Sequence, residues 1–486
     1  MGAAPQWRTR ARRRHPAHGP RHAPLLPSAD DLVPARPRDG LDRSHRGGST
    51  ACDTVRVKDT SEPPERAYLV ALDQPRARFD ADDSLDELAS LVEAAGGVVA
   101  GRAVQQRRAP DPNTWVGKGK AAEIVTECAR LGAELVVADD ELAPRQQRGL
   151  EELTGRRVVD RSALILDIFA RHARTKEGRV QVELAQLEYQ LPRLRGIWKG
   201  LSRLGGGIGT RGPGESLLET DRRVIERRLI DLRARLAEVQ RQRERSRLSR
   251  SRDGLFLAAL VGYTNVGKST LLNALAGATV LVADQPFATL DPTTRRMALP
   301  GGGALLVSDT VGFINKLPPA LIAAFRATLE ELNDADLLVH VVDVGHPNLH
   351  ERMIVVRETL ASLDLASRES LFVFNKADTL RGAEGEALRE ALGAEFPGAV
   401  FVSAQTGEGV EMLRDRLAAI AASRWTKVDV TVPYNEGGLV QRVRERGSLR
   451  NTEYSEAGIR IEADVPADLA AELTARRTRE VSSGRR

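Results

Sequence analysis

The stretch 255–270, "LFLAALVGYTNVGKST", decides how this chain is read. An apolar run of strand length ends at Gly262, the residues "GYTNVGKS" over 262–269 satisfy GxxxxGK[ST], and "TLLNALAG" continues with the character of a helix. A strand that turns through a glycine-rich loop into a helix leaves backbone N–H groups converging at the positive end of that helix, which makes a cradle for phosphate oxygens. Gly262, Tyr263, Thr264, Asn265, Val266 and Gly267 form the turn. Lys268 is placed to neutralise the outer phosphates and Ser269 to offer its hydroxyl to Mg2+. This motif alone does not separate adenine from guanine nucleotides.

The segments that follow do. In "NKAD" at 375–378, Asp378 accepts from both the ring N–H and the exocyclic amine of guanine, a donor pair that adenine lacks. Asn375 meets the other edge of the base, the stem of Lys376 covers its face, and Ala377 lies between them and Asp378. "SAQ" at 403–405 (Ser403, Ala404, Gln405) brings backbone amides towards the guanine oxygen. A polar pocket left unpaired by the wrong base rejects it strongly, so guanine is the expected base. In "DTVG" at 309–312, Asp309 holds a water of the Mg2+ shell, and Thr310 and Val311 carry the chain to Gly312, whose amide senses the terminal phosphate. "FATLDPTTR" at 287–295 is the expected switch: Thr289 is the second Mg2+ ligand, with Thr293 and Thr294 as rivals. Lys268, Thr289 and Gly312 are assigned the catalytic roles. Motifs in this order, each ending an apolar run, predict a Ras-like, translation-factor-related P-loop GTPase domain over 253–424. Its strands are almost continuously apolar, as a mainly parallel sheet covered on both faces requires.

Outside that domain the texture varies. Residues 1–62 mix Arg, Pro, His and Gly with few large apolar residues and are expected to stay disordered. From 63 to 172, "YLVAL", "VVA", "LVVA" and "RVVD" alternate with helical segments, which predicts a small parallel α/β unit. Over 173–252, Val180, Leu184, Leu187 and Leu191 on one segment and Ile225, Leu229, Leu232, Leu236 and Val239 on another make apolar stripes that suit an antiparallel helical hairpin. The last segment, 425–486, is expected to be a small α/β appendage.

The loop between the two hairpin helices contains Gly207, Gly209 and Gly212, which spell GxGxxG. The dinucleotide reading fails there, because no strand precedes the glycines and Glu215, Glu219 and Asp221 would repel a phosphate. From Arg193 to Arg211 the loop carries Arg195, Lys199 and Arg203 with no acidic residue before Glu215, and Trp198 is available to stack on a base. That composition fits close contact with RNA. The two cysteines, Cys52 and Cys128, suit a reducing compartment without disulfides. No run of apolar residues is long enough to span a bilayer.

"GYTNVGKST", "DQPFATLDPTTR", "SDTVGFINKLPPALIAAFRATLEE", "VGKGKAAEI" and "GGIGTRGPGESLLETDRR" together resemble the HflX family of ribosome-associated GTPases, over about 66–424. The resemblance implies GTP and GDP contacts on Gly262–Ser269, Phe287–Asp291, Asp309–Gly312, Asn375–Asp378 and Ser403–Gln405, with Mg2+ on Ser269 and Thr289. It implies a cytoplasmic protein, expected to be monomeric, that binds the large ribosomal subunit and its RNA through the 196–214 tip and dissociates stalled or idle ribosomes under stress. Two other readings are an assembly GTPase similar to Obg or Era, and a GTP-dependent binding module that does not hydrolyse. Phe313 occupies the place where Ras-type enzymes carry a water-positioning glutamine, so slow intrinsic hydrolysis, stimulated by the ribosome, is expected. Asn265 resembles the asparagine with which some such GTPases hold K+, making K+ a candidate second ion, against a plain loop residue.

Overall fold

A computed structural model describes residues 64–194, 222–239, 241, 255–277, 286–287, 290–299, 304–318, 321–322 and 330–474. The expectations for 1–62 and for the 196–214 tip lie outside the described residues.

The first apolar run becomes β1 (Arg66–Asp73), buried from Ala67 to Leu72. It leads through α1 (Ala81–Ala94), β2 (Val98–Gln106), α2 (Lys118–Leu131), β3 (Leu135–Ala138), α3 (Pro144–Thr154) and β4 (Arg157–Asp160) into α4 (Arg161–His172). Strand and helix alternate because β1, β3 and β4 are buried on both faces while α1 presents Leu85, Leu88, Leu91 and Val92 along one stripe. The result is a four-stranded parallel sheet in the order β2-β1-β3-β4.

Next, α5 (Lys176–Leu194) packs against α6 (222–239). Leu184, Leu229 and Leu232 are buried between them, with Val180, Leu187, Leu191, Ile225 and Leu236 alongside, so the apolar stripes meet. Ion pairs line both flanks, Arg228 to Glu183 at 2.6 Å and Arg233 to Glu188 at 2.8 Å.

The stretch that opened the sequence forms β5 (Leu257–Gly262), buried throughout, followed by α7 (Lys268–Ala276). β6 (Thr293–Ala298), β7 (Ala304–Asp309), β8 (Leu337–Asp343), α8 (Leu349–Ser362), β9 (Ser370–Asn375), α9 (Gly382–Glu395), β10 (Val400–Phe401) and α10 (Val410–Ser423) complete a six-stranded sheet ordered β10-β9-β8-β5-β7-β6. Only the edge strand β6 runs antiparallel to its neighbour. β5, β7, β8 and β9 all end in loops on one side, the side where an open parallel sheet binds its ligand. This is a P-loop GTPase fold. The chain then forms β11 (Thr426–Val432), α11 (Gly437–Arg446), β12 (Ser448–Ser455) and β13 (Gly458–Val465), a three-stranded antiparallel sheet with its own core around Ile461 and Val443.

One apolar core runs from Leu69, Leu85 and Phe169 through Phe287 and Leu290 into the central sheet. Across the same junction lies a buried charge network. Arg161, 0% exposed, pairs with Asp139 at 2.6 Å and with Glu87. Asp139 also takes Lys316 at 2.6 Å and the Ser84 hydroxyl at 2.7 Å, and Glu87 accepts from the Tyr263 hydroxyl at 2.7 Å. Burial alone would raise the Asp139 carboxyl, but Arg161 and Lys316 outweigh it and hold it below the usual carboxylate range.

Breaking a buried pair from one side leaves an uncompensated charge, so Arg161→Ala is expected to cost about 3–5 kcal/mol in urea unfolding. Because the folded-state pKa of Asp139 is lowered, its contribution is fully present above about pH 4 and is lost as the pH falls further; a pH series of unfolding midpoints checks this.

Candidate nucleotide site

The turn after β5 is shaped by residues in the left-handed region. Asn265 at φ 59° tolerates it through its short polar side chain, and Gly267 at φ 86° needs no Cβ. A Cβ on Gly267 would stand 2.4 Å from Asn375 Nδ2, so glycine is required there twice over. These dihedrals turn the loop around the start of α7.

Lys268 is buried, and its Nζ donates to the carbonyl oxygens of Tyr263 at 2.9 Å and Gly262 at 3.3 Å. Burial pushes its pKa down to about 8, opposed only partly by Asp309. An ammonium with carbonyl partners and an incomplete counter-charge is poised for an anion. The Ser269 hydroxyl donates to Asp309 Oδ2 at 2.5 Å, so two hard oxygen donors meet beside Lys268. Gly312 closes the same space: a Cβ there would lie 2.9 Å from Thr264 Cα and 3.0 Å from Lys268 Nζ.

The 312–316 segment is zipped to the loop. Phe313 N donates to Gly262 O at 3.1 Å, Thr264 N donates to Phe313 O at 2.7 Å, and Asn315 N donates to the Tyr263 hydroxyl at 2.7 Å. The Phe313 ring is buried. Val311 is buried, and the Thr310 hydroxyl donates to Leu260 O at 2.7 Å. The Thr310 hydroxyl therefore braces the sheet.

On the base side, Asn375 is a strut. Its Nδ2 donates to Val266 O at 2.8 Å and its Oδ1 accepts from Ala404 N at 2.9 Å, which ties the phosphate loop to the 403–405 loop. Lys376, at φ 62°, reaches Asp343 at 2.8 Å. Ala377 N donates to Val402 O, which fixes the short 3-10 turn carrying Asp378. Ser403 is buried and its hydroxyl accepts from Thr406 N at 3.2 Å, while Gln405 is exposed.

The switch residues divide. Ala288 and Thr289 lie outside the described residues. Phe287, at φ 58°, sets its ring edge-on to Phe169 at 4.7 Å, and Leu290 is buried in the shared core. Asp291 turns to the start of α5 and accepts from the backbone N–H groups of Arg174 and Thr175 at 2.9 and 2.8 Å, so its carboxylate is committed away from the expected nucleotide path. Thr293 and Thr294 belong to β6, opposite Asp309 and Ser308.

A cleft of about 430 Å3 opens beside the loop, between α1 and the ends of β5 and β8. Thr264, Asn265, Lys376 and Asp343 line one wall, Asp83 and Glu87 the other. Its volume lies in the range of small-molecule sites. Glu87, Arg161, Lys316 and Thr175 shape the surroundings and carried no signal in the sequence reading; only Lys316 stands within a quoted motif.

Above about pH 8 the Lys268 amine of the empty site is largely neutral, and bound phosphates restore its charge, so nucleotide binding there is expected to take up a proton. Titration calorimetry in buffers of different ionisation enthalpy checks this: uptake at pH 8.5 and little at pH 6.5.

Family models for a GTP-binding GTPase N-terminal region, a GTP-binding GTPase middle region and a 50S ribosome-binding GTPase match residues 82–170, 172–250 and 257–376. "GTPase HflX" of Lacrimispora saccharolytica is 46% identical over 415 residues, covering 85% of this chain and 97% of the relative. The protein of the same name from Caldanaerobacter subterraneus is 40% identical over 417 residues, covering 86% and 95%. That from Escherichia coli is 42% identical over 400 residues, covering 82% and 93%. With its phosphate loop and two preceding regions matched in order, this chain belongs to the HflX family of GTPases, which bind and hydrolyse GTP.

Proposed function

We propose that this GTPase acts on the large ribosomal subunit and separates stalled or idle ribosomes in the cytoplasm. The observation that carries the reading is the match of 257–376 to the model described as a 50S ribosome-binding GTPase, joined to a hairpin whose connecting sequence is basic and glycine-rich. Arg195, Lys199 and Arg203 supply charge for phosphate contacts, and Gly205, Gly206 and Gly207 allow close backbone approach to crowded RNA.

The donor set at the loop fits a hard divalent cation, since Ser269 Oγ and Asp309 Oδ2 are oxygens already brought together. Mg2+, held by Ser269 with Thr289, and by Asp309 through water, would neutralise charge building on the phosphates. The chain's own residues do the rest. Lys268 leaves the Gly262 and Tyr263 carbonyls for the outer phosphates, and the amides of 265–269 wrap them. Asp378 holds guanine while the Asn375 strut keeps the base and phosphate loops in register. Gly312 leaves the space beside Lys268 open, since a Cβ there would lie 3.0 Å from its Nζ, and its amide is placed to meet a terminal phosphate.

Phe313 offers no hydrogen bond to an attacking water, which supports slow hydrolysis in isolation and stimulation by a partner that orders polar groups at this point. Asn265, in the left-handed conformation beside the phosphate path, is the proposed K+ contact.

Mixing the protein with intact ribosomes and a non-hydrolysable GTP analogue should yield separated subunits on a sucrose gradient, and phosphate release should rise when ribosomes are added to GTP. Substituting bulky residues at Gly205–Gly207 should abolish cosedimentation while sparing GTP binding. Intact ribosomes in the first case, or unchanged cosedimentation in the second, would refute the proposal. Faster hydrolysis in KCl than in NaCl is the expected mark of K+ at Asn265, and equal rates would leave it a loop residue.

A further inference from the structure

Asp291 lies two residues beyond Thr289 and is anchored outside the GTPase sheet. Its carboxylate accepts from Arg174 N at 2.9 Å, from Thr175 N at 2.8 Å and from the Thr175 hydroxyl. Those donors open α5, the first helix of the hairpin. Thr175 is itself the cap of that helix, its Oγ1 accepting from Gly178 N at 2.9 Å, so one hydroxyl serves the helix end and the switch together. Asp291 adds a second, borrowed cap: a carboxylate at the positive end of a helix, supplied from more than a hundred residues away.

The fit is tight. A Cβ on Gly178 would stand 2.5 Å from Asp291 Oδ1 and 3.2 Å from Thr175 Oγ1, so any side chain there drives the carboxylate out. The switch segment is held on its other side by the Phe169–Phe287 contact, from the helix just before the hairpin. Of the described residues of 287–291, Phe287 packs on α4, Leu290 is buried in the shared core and Asp291 is hydrogen-bonded to the start of α5.

We propose that Thr175 and Asp291 form a positioning pair for GTP hydrolysis, through which the hairpin root holds the end of the switch segment at Asp291. Neither residue touches the reacting phosphate. The pair acts by fixing where the chain enters and leaves the switch. Coupling of this kind is reciprocal, so the nucleotide state biases the hairpin as the hairpin biases the switch. The proposal rests on the reading of 287–291 as the magnesium-binding switch.

The test uses the full chain and compares Thr175→Val, Thr175→Ser, Gly178→Ala, Asp291→Ala and the Thr175→Val/Asp291→Ala double variant. Single-turnover and steady-state GTP hydrolysis, GDP affinity by a fluorescent analogue, Mg2+ dependence and melting temperature are measured on each. Thr175→Val and Gly178→Ala should each lower kcat about tenfold, with KM for GTP and GDP affinity within about twofold of the parent, and raise the Mg2+ needed for half-maximal rate. Thr175→Ser should restore the rate, and the double variant should be no slower than Asp291→Ala alone. A lower melting temperature with unchanged kcat and Mg2+ dependence would reduce the pair to a helix cap and overturn the proposal. So would an Asp291→Ala form that loses GDP affinity while Thr175→Val hydrolyses normally, since Asp291 would then serve the nucleotide directly. If Mg2+ proves dispensable for the parent, the switch reading fails instead, a result separate from either.

Discussion

An ammonium group sealed from water is the constraint around which the pocket is built. Lys268 has only the dipoles of two carbonyl groups and the partial influence of Asp309 to offset the loss of hydration, and its depressed pKa measures that deficit. A site that tolerates this must gain the balance from a ligand, and a polyphosphate is the ligand that supplies it. The backbone follows from the same demand. Amides can converge beside the lysine only if Asn265 and Gly267 adopt left-handed dihedrals, and Gly267 can do so only without a Cβ, because Asn375 fills the space behind it. Asn375 in turn cannot leave, since its amide ties Val266 to Ala404. Phosphate and base recognition thus share one buried side chain.

The second consequence lies at Tyr263. Its hydroxyl donates to Glu87 and accepts from the Asn315 amide, so a single oxygen in the phosphate loop touches both the N-terminal sheet unit and the segment that follows Gly312. Burial and the nearby Glu87 push the phenol well above its ordinary range, which keeps the proton on it as a donor. Exposed pairs across the same junction, such as Arg78 with Glu358 at 2.6 Å, add little because water competes for them. The buried network around Arg161 and Asp139 is the part of the junction that water does not reach, so losing one partner there leaves a charge uncompensated.

The legible part of the site is the part written contiguously. Residues 262–269 announce themselves because a phosphate cradle needs a strand, a turn and a helix in immediate succession, and the central strands are legible because burial on both faces leaves unbroken apolar runs, whereas the exposed edge strand β6 reads as part of the switch. The hairpin was legible from a repeat that any packed helix pair requires. What escaped was contact between distant segments. Nothing near Glu87 or Asp139 in sequence says that a lysine at 316 will close on them, and Thr175 and Asp291 are ordinary loop residues until the fold apposes them. Side-chain direction was likewise hidden: Thr310 sits inside the phosphate-sensing motif yet turns into the sheet, because its hydroxyl finds the Leu260 carbonyl there.

The two holds on the GTPase sheet differ in kind, and the difference has a physical reason. Around Phe287 and Leu290 the junction is apolar, and such contact is insensitive to small rotations, so it joins the parts without fixing their angle. At Lys316 and at Asp291 the junction is made of charged hydrogen bonds, which weaken steeply with misalignment. An apolar joint with directional bonds on either side can stay closed while it turns, and the bonds then report the turn to the segments that carry them. Those segments are the ones beside Thr289 and Gly312. Moving either of them relative to the sheet must therefore break or bend bonds made to the N-terminal unit or to the hairpin.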